Sequence, residues 1–492
     1  MKDLKDRVLR GGLAKAFAQG TNFVVRVGSL IVLARLLDPK AFGLVGMVTA
    51  ITGVLNLFRD FGLSTAAVQR VNVTEEQSST LFWINMLVGT VLGTLLAGLS
   101  PVVVRFYHEP RLFWITIVLA TGFVFNAAGV QHSALLQRQM RFTALATIDI
   151  IGLVLGTAVG IGLALRGFGP WSLVFMTLTP TIVATVCMWF TTKWIPGRPR
   201  KDIGLRSMMR FGGTVTLNGL VVYFAYNIEK VLLGRRWGAE ALGTYGRAYQ
   251  LISVPTDNMN SAVGEVAFSA LSRLQTEPKR LKNYFLKGYS LVLALTLPAT
   301  LVCGFFAKDI IQVLLGPKWA SAVPIFRWLA PTILSFAMIN PFAWLLFALG
   351  RVERSLKIAL VIAPLVITAI LIGMPYGPKG VAIAYSTAMV SWIIPHIIWC
   401  IQDTEITLLD VTKTLSRPLF SGIVATVLST ALLSYFGQSF SPLPHLVVEL
   451  AAFGVIYLGM LLYVMGQKSF YLDLARGLKG SSPVLPTPVV VD

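Results

Sequence analysis

The sequence predicts an all-α integral membrane protein of about 14 transmembrane helices. They form two six-helix lobes related by an internal repeat, followed by two C-terminal helices. Three observations predict this. The 492 residues are 55% hydrophobic and 13% charged, with a mean hydropathy of +0.72, whereas a soluble chain carries about 25% charged residues. Apolar runs of the roughly 20 residues needed to cross a bilayer recur along the whole chain. A shift of 200 positions lays Arg10, Gly12, Leu33, Arg35, Ala41, Gly43 and Gly46 on Arg210, Gly212, Leu233, Arg235, Ala241, Gly243 and Gly246.

Taken in order, the runs place spans at about 11–37, 41–68, 80–106, 112–135, 142–165 and 170–192 in the first half. The second half has runs at 208–234, 242–272, 284–314, 322–349, 355–375 and 379–401, and the end has 416–437 and 446–466. The expected organisation is an N-lobe over 1–192, a cytoplasmic linker over 193–207, a C-lobe over 208–401, a terminal hairpin over 416–466 and a cytoplasmic tail over 467–492. The tail's end, rich in Pro and Val from Ser481, is expected to be disordered. Prolines 180, 255, 298, 331, 341, 364 and 395 fall inside spans, where each frees a carbonyl and can bend the helix. The turn Gly169-Pro170 is echoed by Gly377-Pro378, in keeping with a repeat. The charged N-terminus leads into a first span too long for a signal-peptide core, so that span is expected to remain in the protein.

The formal charge is +20, from 42 Lys and Arg against 22 Asp and Glu. With the N-terminus inside, 26 of those 42 cations fall in cytoplasmic segments and 10 in external ones. The bias follows the positive-inside rule and puts both termini in the cytoplasm, so no nucleic-acid partner is needed to explain the charge. Cys187, Cys303 and Cys400 sit within apolar runs without pairing or metal-ligand spacing, and read as packing residues. No metal, cofactor or catalytic set is expected.

Charged and amide side chains inside spans mark a polar path, because each is costly against lipid. In the first span Lys15, Gln19, Asn22 and Arg26 advance by four, three and four residues, forming one helical stripe. The second carries Thr49, Thr52, Asn56 and the pair Arg59-Asp60, which could equally sit at the cytoplasmic rim. The seventh repeats the pattern with Tyr223, Asn227 and Lys230 beside Glu229, a pair that could equally be buried for fold specificity. The eighth has Arg247, Gln250, Asp257, Ser261 and Glu265 around Pro255. Lys15, Gln19, Asn22, Arg26, Asn56, Arg59, Asp60, Asn227, Lys230 and Arg247 are the candidate substrate-binding residues. Glu229, Pro255, Asp257 and Glu265 are candidates for gating or ion coupling. Asp149 and the group Asn126, Gln131 and His132 are lesser candidates, His132 reading as a hydrogen-bonded structural residue. These charges concentrate in spans one, two, seven and eight, which places the expected cavity between the lobes and leaves the last two helices outside it.

RLLDPKAFGLVGM (Arg35 to Met47), FRDFGLSTAAVQR (Phe58 to Arg70) and FYHEPRL (Phe106 to Leu112), with the fourteen-span layout, resemble the polysaccharide-transport branch of the MOP flippase superfamily. The nearest likeness is to Wzx-type exporters of the colanic-acid kind, and it is strongest over the first 150 residues. The resemblance implies a V-shaped, two-lobed protein of the bacterial inner membrane. It implies as substrate an undecaprenyl-diphosphate-linked oligosaccharide, flipped to the periplasmic face for polymerisation, with membrane lipids and the polysaccharide polymerase and export machinery as partners. It brings no catalytic signature.

Such a substrate has a lipid tail, an anionic diphosphate and a hydrated sugar chain, so a cationic path suits it. The alternatives within the superfamily are a peptidoglycan-precursor flippase and a cation-coupled multidrug exporter. A drug exporter for organic cations should favour an acidic or aromatic cavity over Lys15, Arg26 and Arg59. A membrane enzyme such as a polymerase, ligase or glycosyltransferase fits less well, since external loops are short and no D-x-D occurs. No G-x-x-x-x-G-K-[ST] motif occurs either, so coupling to an ion gradient or membrane potential is expected in place of ATP.

Overall fold

The computed structural model describes residues 20–59, 74–199, 205–436, 441–469 and 471; at 205–222, 224–226, 257–263, 265–266 and 433–436 it describes the backbone alone. Among the described residues the chain is all-helical, and ten helical segments are long and apolar enough to cross a membrane. One of these, Val352–Ile401, runs 50 residues and holds two of the predicted spans.

The helices are α1 (20–36), α2 (Pro39–Leu57), α3 (Glu75–Gly98), α4 (Ser100–Tyr107), α5 (Leu112–Arg138), α6 (Phe142–Leu165) and α7 (Pro170–Thr192). Then follow α8 (Leu205–Arg273), α9 (Pro278–Phe305), α10 (Ala307–Leu314), α11 (Ala322–Leu329), α12 (Pro331–Ala348), α13 (Val352–Gly373), α14 (Gly377–Ile401), α15 (Leu408–Phe436) and α16 (Pro442–Gly459).

Local chemistry sets many of these boundaries. Thr74 and Gln77 form a reciprocal capping box that starts α3, with Glu75 and Glu76 facing the positive end of the helix. Proline opens α2, α7, α9, α12 and α16, where its missing N–H has no intrahelical partner to lose. The predicted third span is divided at Leu99, just before Pro101, into α3 and α4. Of the predicted second span, α2 ends at Leu57, so Arg59 follows that helix, and the stretch from 60 onward lies outside the described residues. Within α8 the one residue with non-helical backbone is Gly238 (φ 81°, ψ −176°), a conformation that favours glycine, and the backbone stays helical through Pro255. Gly169 and Gly377, the two residues of the predicted Gly-Pro echo, both adopt positive φ at helix starts.

The chain forms two compact units. The first draws on Met1–Met259, Leu314–Leu329 and Leu356–Met389, the second on Asn260–Val313, Ala330–Ser355 and Val390–Asp492. In the first unit, small residues let helices touch backbone to backbone. Gly43, Gly46, Ala50 and Gly53 step along one face of α2 toward α8. A Cβ on Gly43 would fall on the carbonyl of Ala239, and a Cβ on Gly243 would fall on the carbonyl of Pro39. The contact is reciprocal at positions 200 residues apart, two of which are identical in the sequence repeat. Gly152, Gly156 and Gly160 similarly seat α6 against Met176 and Pro180 of α7. Trp319 is fully buried, donates from Nε1 to the Ala34 carbonyl at 2.8 Å, and meets Phe42 edge-on at 5.4 Å.

The second unit is held by an apolar seam in which Phe306, Leu446, Phe453 and Tyr457 are buried together, and the Tyr457 hydroxyl donates to the Ala294 carbonyl at 2.8 Å. At the end of α14, Arg351 and Arg354 both donate to the Gln402 carbonyl, and Arg354 also holds the Asp403 carboxylate at 2.7 Å. The hydrogen bond from Arg354 keeps that carboxyl below the usual aspartate range, with the charges of Arg354 and Arg351 acting in the same direction.

Candidate functional site

Two polar constellations lie within the first unit. On α8 the spacing of Tyr223, Asn227 and Lys230 puts them on one face, and their side chains form a chain of contacts. Lys230 Nζ donates to Asn227 Oδ1 at 2.6 Å, Asn227 Nδ2 donates to the Tyr223 carbonyl at 3.0 Å, and the Tyr223 hydroxyl donates to the Ala50 carbonyl on α2 at 3.0 Å. Gly53 makes room for the Tyr223 ring, because a Cβ there would occupy the place of its hydroxyl. Glu229, beside this chain, is 5% exposed. The four-and-three spacing aligns an ammonium, an amide and a phenol, and a small residue on α2 admits the phenol.

The second constellation follows the C-terminus of α2. Arg59 lines a pocket of about 260 Å³ together with Asn126, Ser133 and Gln137 of α5 and Thr181 and Thr185 of α7. Arg59 Nε and Asn126 Oδ1 are buried and lack hydrogen-bond partners among the described residues. An unpaired buried guanidinium nitrogen costs free energy of the order of about 1–3 kcal/mol, more when charged, so the site gains by taking up an acceptor. The walls are fixed by cross-helix bonds: Thr185 Oγ1 donates to the Phe125 carbonyl and Trp189 Nε1 to the Ala128 carbonyl, each at 2.8 Å. The arrangement can hold a small anionic or hydroxyl-bearing group by charge-assisted hydrogen bonds.

The other candidates are scattered. Lys15, Gln19 and Asp60 lie outside the described residues, as do the side chains of Asp257 and Glu265. On α1, Asn22 is half-buried and Arg26 exposed; on α2, Asn56 is exposed in the last turn. Arg247 is half-buried, its guanidinium 4.3 Å from the Phe42 ring centroid in a cation–π contact. Pro255 and Asp149 are exposed. His132 is fully buried, bonded through Nδ1 to Thr192 Oγ1 at 2.7 Å and packed against Trp189, Trp194 and Phe82. It is a structural residue, as its single occurrence on an apolar helix suggests.

Residues 32–324 match the model of a family of polysaccharide biosynthesis proteins, more than half of the chain. The chain belongs to that family. The resemblance carried by Arg35 to Met47, Phe58 to Arg70 and Phe106 to Leu112 therefore holds at the level of the polysaccharide biosynthesis family. Among curated relatives, the teichuronic acid biosynthesis protein TuaB of Bacillus subtilis is 30% identical over 60% of this chain, and the match spans 61% of that relative's own length, under two thirds. The lipopolysaccharide biosynthesis protein WzxC of Escherichia coli is 28% identical over 78% of each chain. The succinoglycan biosynthesis transport protein ExoT of Rhizobium meliloti is 23% identical over 95% of this chain and 94% of its own. Among solved structures, the lipid II flippase MurJ in an inward closed conformation aligns with a TM-score of 0.73 at 13% identity, covering 95% of this chain and all of that one. A multidrug resistance transporter of the MATE family, inward-facing, aligns at 0.60 with 16% identity, over 77% of this chain and 93% of its own. At those identities the likeness is one of fold.

Two features escaped the sequence reading. The neighbours that give Arg59 its pocket come from α5 and α7, and of these only Asn126 stands out in the sequence. A trio formed by Asp309, His445 and Glu449 in the second unit was also missed. The spacing of His445 and Glu449, four residues apart on one helix face, was a signal that could have pointed to it.

Proposed function

We propose that this chain is a flippase that carries undecaprenyl-diphosphate-linked oligosaccharide repeat units across the bacterial inner membrane for surface or exopolysaccharide assembly, by alternating access of two lobes. The fourteen-span, two-lobe arrangement with cytoplasmic termini belongs to the same reading, and the reciprocal Gly43 and Gly243 contacts support its repeat. The observation that carries the proposal is Arg59: a half-buried cation whose buried Nε lacks a partner among the described residues, in a polar pocket of about 260 Å³. In a protein of the polysaccharide biosynthesis family, such a group suits the diphosphate of a lipid-linked sugar. Lys230 and Asn227 supply a second cation and an amide for phosphate or hydroxyl groups, and Arg26 and Arg247 are further candidates for the cationic path.

The experiment is a deletion strain complemented with wild type, Arg59→Ala or Lys230→Met, assayed for lipid-linked repeat units held on the cytoplasmic leaflet. Wild type should clear them; either variant, at normal protein level, should leave them accumulated. Clearance by both variants would remove the cationic path from the account. A second reading, a peptidoglycan-precursor flippase, is favoured by one observation, the full-length fold match to the lipid II flippase MurJ. Rescue of a strain lacking its own peptidoglycan-precursor flippase would decide for it.

A further inference from the structure

Far along the chain from the transport residues, three ligand-type side chains converge in the second unit. His445 and Glu449 stand one turn apart near the start of α16, and Asp309 lies in the first turn of α10. His445 Nδ1 is 3.5 Å from Asp309 Oδ2 and 3.9 Å from Glu449 Oε2, and the three donor atoms lie within 4.8 Å of one another. Glu449 is 6% exposed, and neither its Oε2 nor His445 Nδ1 has a hydrogen-bond partner among the described residues. Asp309 and His445 are partly open to solvent, at 21% and 25% side-chain exposure, which gives an entry path. Beneath the trio lies the apolar seam of Leu446, Phe306 and Phe453, flanked by Ile310 and Val313.

Two carboxylates this close, one of them buried over an apolar floor, repel each other unless one takes up a proton or a positive charge sits between them. A proton on His445 could supply it, but the separations are too long for good hydrogen bonds from Nδ1. They do suit a shared ion. Two donors each about 2.1 Å from one centre, with an angle of about 110–140° between them, stand about 3.4–3.9 Å apart. An imidazole nitrogen with two carboxylates selects a borderline transition metal over Mg2+ or Ca2+, which prefer all-oxygen shells.

We propose that Asp309, His445 and Glu449 bind a divalent transition-metal ion of the Zn2+ or Mn2+ class, with water completing its shell. No metal was expected from the sequence. The ion fastens α16 to the α9–α10 corner, at the end of the seam that Tyr457 and Ala294 close farther along. Its role is structural, and it touches none of the residues assigned to the transport path.

The test uses full-length, tag-free protein in detergent, stripped with a chelator and titrated with Zn2+, Mn2+, Co2+ or Mg2+. Elemental analysis, the thermal transition and the visible spectrum of the Co2+ form are the readouts. One equivalent of Zn2+ or Mn2+ should bind and raise the melting temperature, while Mg2+ should not. Asp309→Asn and His445→Asn should each weaken binding by at least the roughly 10–100-fold that outer-shell partners are worth. They should also change the Co2+ spectrum. Asp309 is partly exposed, so its variant reports on binding even where a Glu449→Gln protein fails to fold. Absence of stoichiometric binding by wild type would overturn the proposal. So would unchanged affinity in both Asn variants, or stability that follows only pH, as for a protonated His445 clamped between carboxylates.

Discussion

Gly43→Ala and Gly46→Ala, one helical turn apart on the same face of α2, should have opposite outcomes. At position 43 the added methyl would coincide with the backbone carbonyl of Ala239, whereas at 46 it would meet only Leu242 Cδ2 at 3.5 Å, an ordinary contact. A methyl carbon and a carbonyl oxygen need about 3.3–3.6 Å, so α2 and the second part of α8 must part by more than about 1 Å. The same movement breaks the reciprocal approach of Gly243 to Pro39. Overpacking of this kind costs about 1–3 kcal/mol. Alanine's helix preference returns up to about 1 kcal/mol of that at 43, and at 46 nothing opposes it. Thermal unfolding of purified protein, followed by tryptophan fluorescence, should put Gly43→Ala several degrees below wild type and Gly46→Ala at or above it. Gly243→Ala should fall with Gly43→Ala. Equal melting temperatures for the variants at 43 and 46 would refute the backbone contact on which the packing of the first unit rests.

Trp319→Phe removes the Nε1 bond to Ala34 while keeping most of the buried ring, so a loss of about 1 kcal/mol is expected in the same assay. Trp319→Ala, which empties the site, should cost about 3–5 kcal/mol. Lys230→Met keeps the stem but removes the ammonium that bonds Asn227 Oδ1; export should fall by at least tenfold, with the protein level unchanged on an immunoblot. Arg59→Lys tests whether charge suffices: partial export would indicate a point charge, and none would indicate the planar, bidentate grip of a guanidinium. Asp403 is held below the ordinary carboxylate range by Arg354, so its contribution is complete above the unfolded value of about 4 and lost as pH falls through the lower folded value. In a pH series of melting temperatures Asp403→Asn should therefore flatten the acid limb and lie below wild type near neutrality.

Membrane class and helix identity were legible because burying apolar runs in lipid leaves a signal in every window of sequence. The α8 ladder was legible too, since Tyr223, Asn227 and Lys230 are neighbours by helical spacing alone. The identities at a 200-residue shift are visible in the sequence, but only the facing carbonyls of Ala239 and Pro39 explain why Gly43 and Gly243 are glycine. Arg59 is legible as a charge at the end of an apolar run, but α2 ends at Leu57 and the pocket depends on Asn126 and Thr185, far off in sequence. Asp309 finds His445 only through the packing of α10 on α16, and no local pattern carries that information. Trp319 is a similar case, a residue in a short turn that reaches Ala34 across 285 positions of sequence.

The most direct test of the transport proposal is leaflet exchange in proteoliposomes holding the purified protein and a fluorescent undecaprenyl-diphosphate oligosaccharide, read by quenching from outside. Wild type should bring label initially protected in the inner leaflet within reach of the quencher, and Arg59→Ala should leave it protected at the rate of empty vesicles. Equal exchange by wild type and empty vesicles, under conditions where wild type moves a small organic cation, would contradict the account.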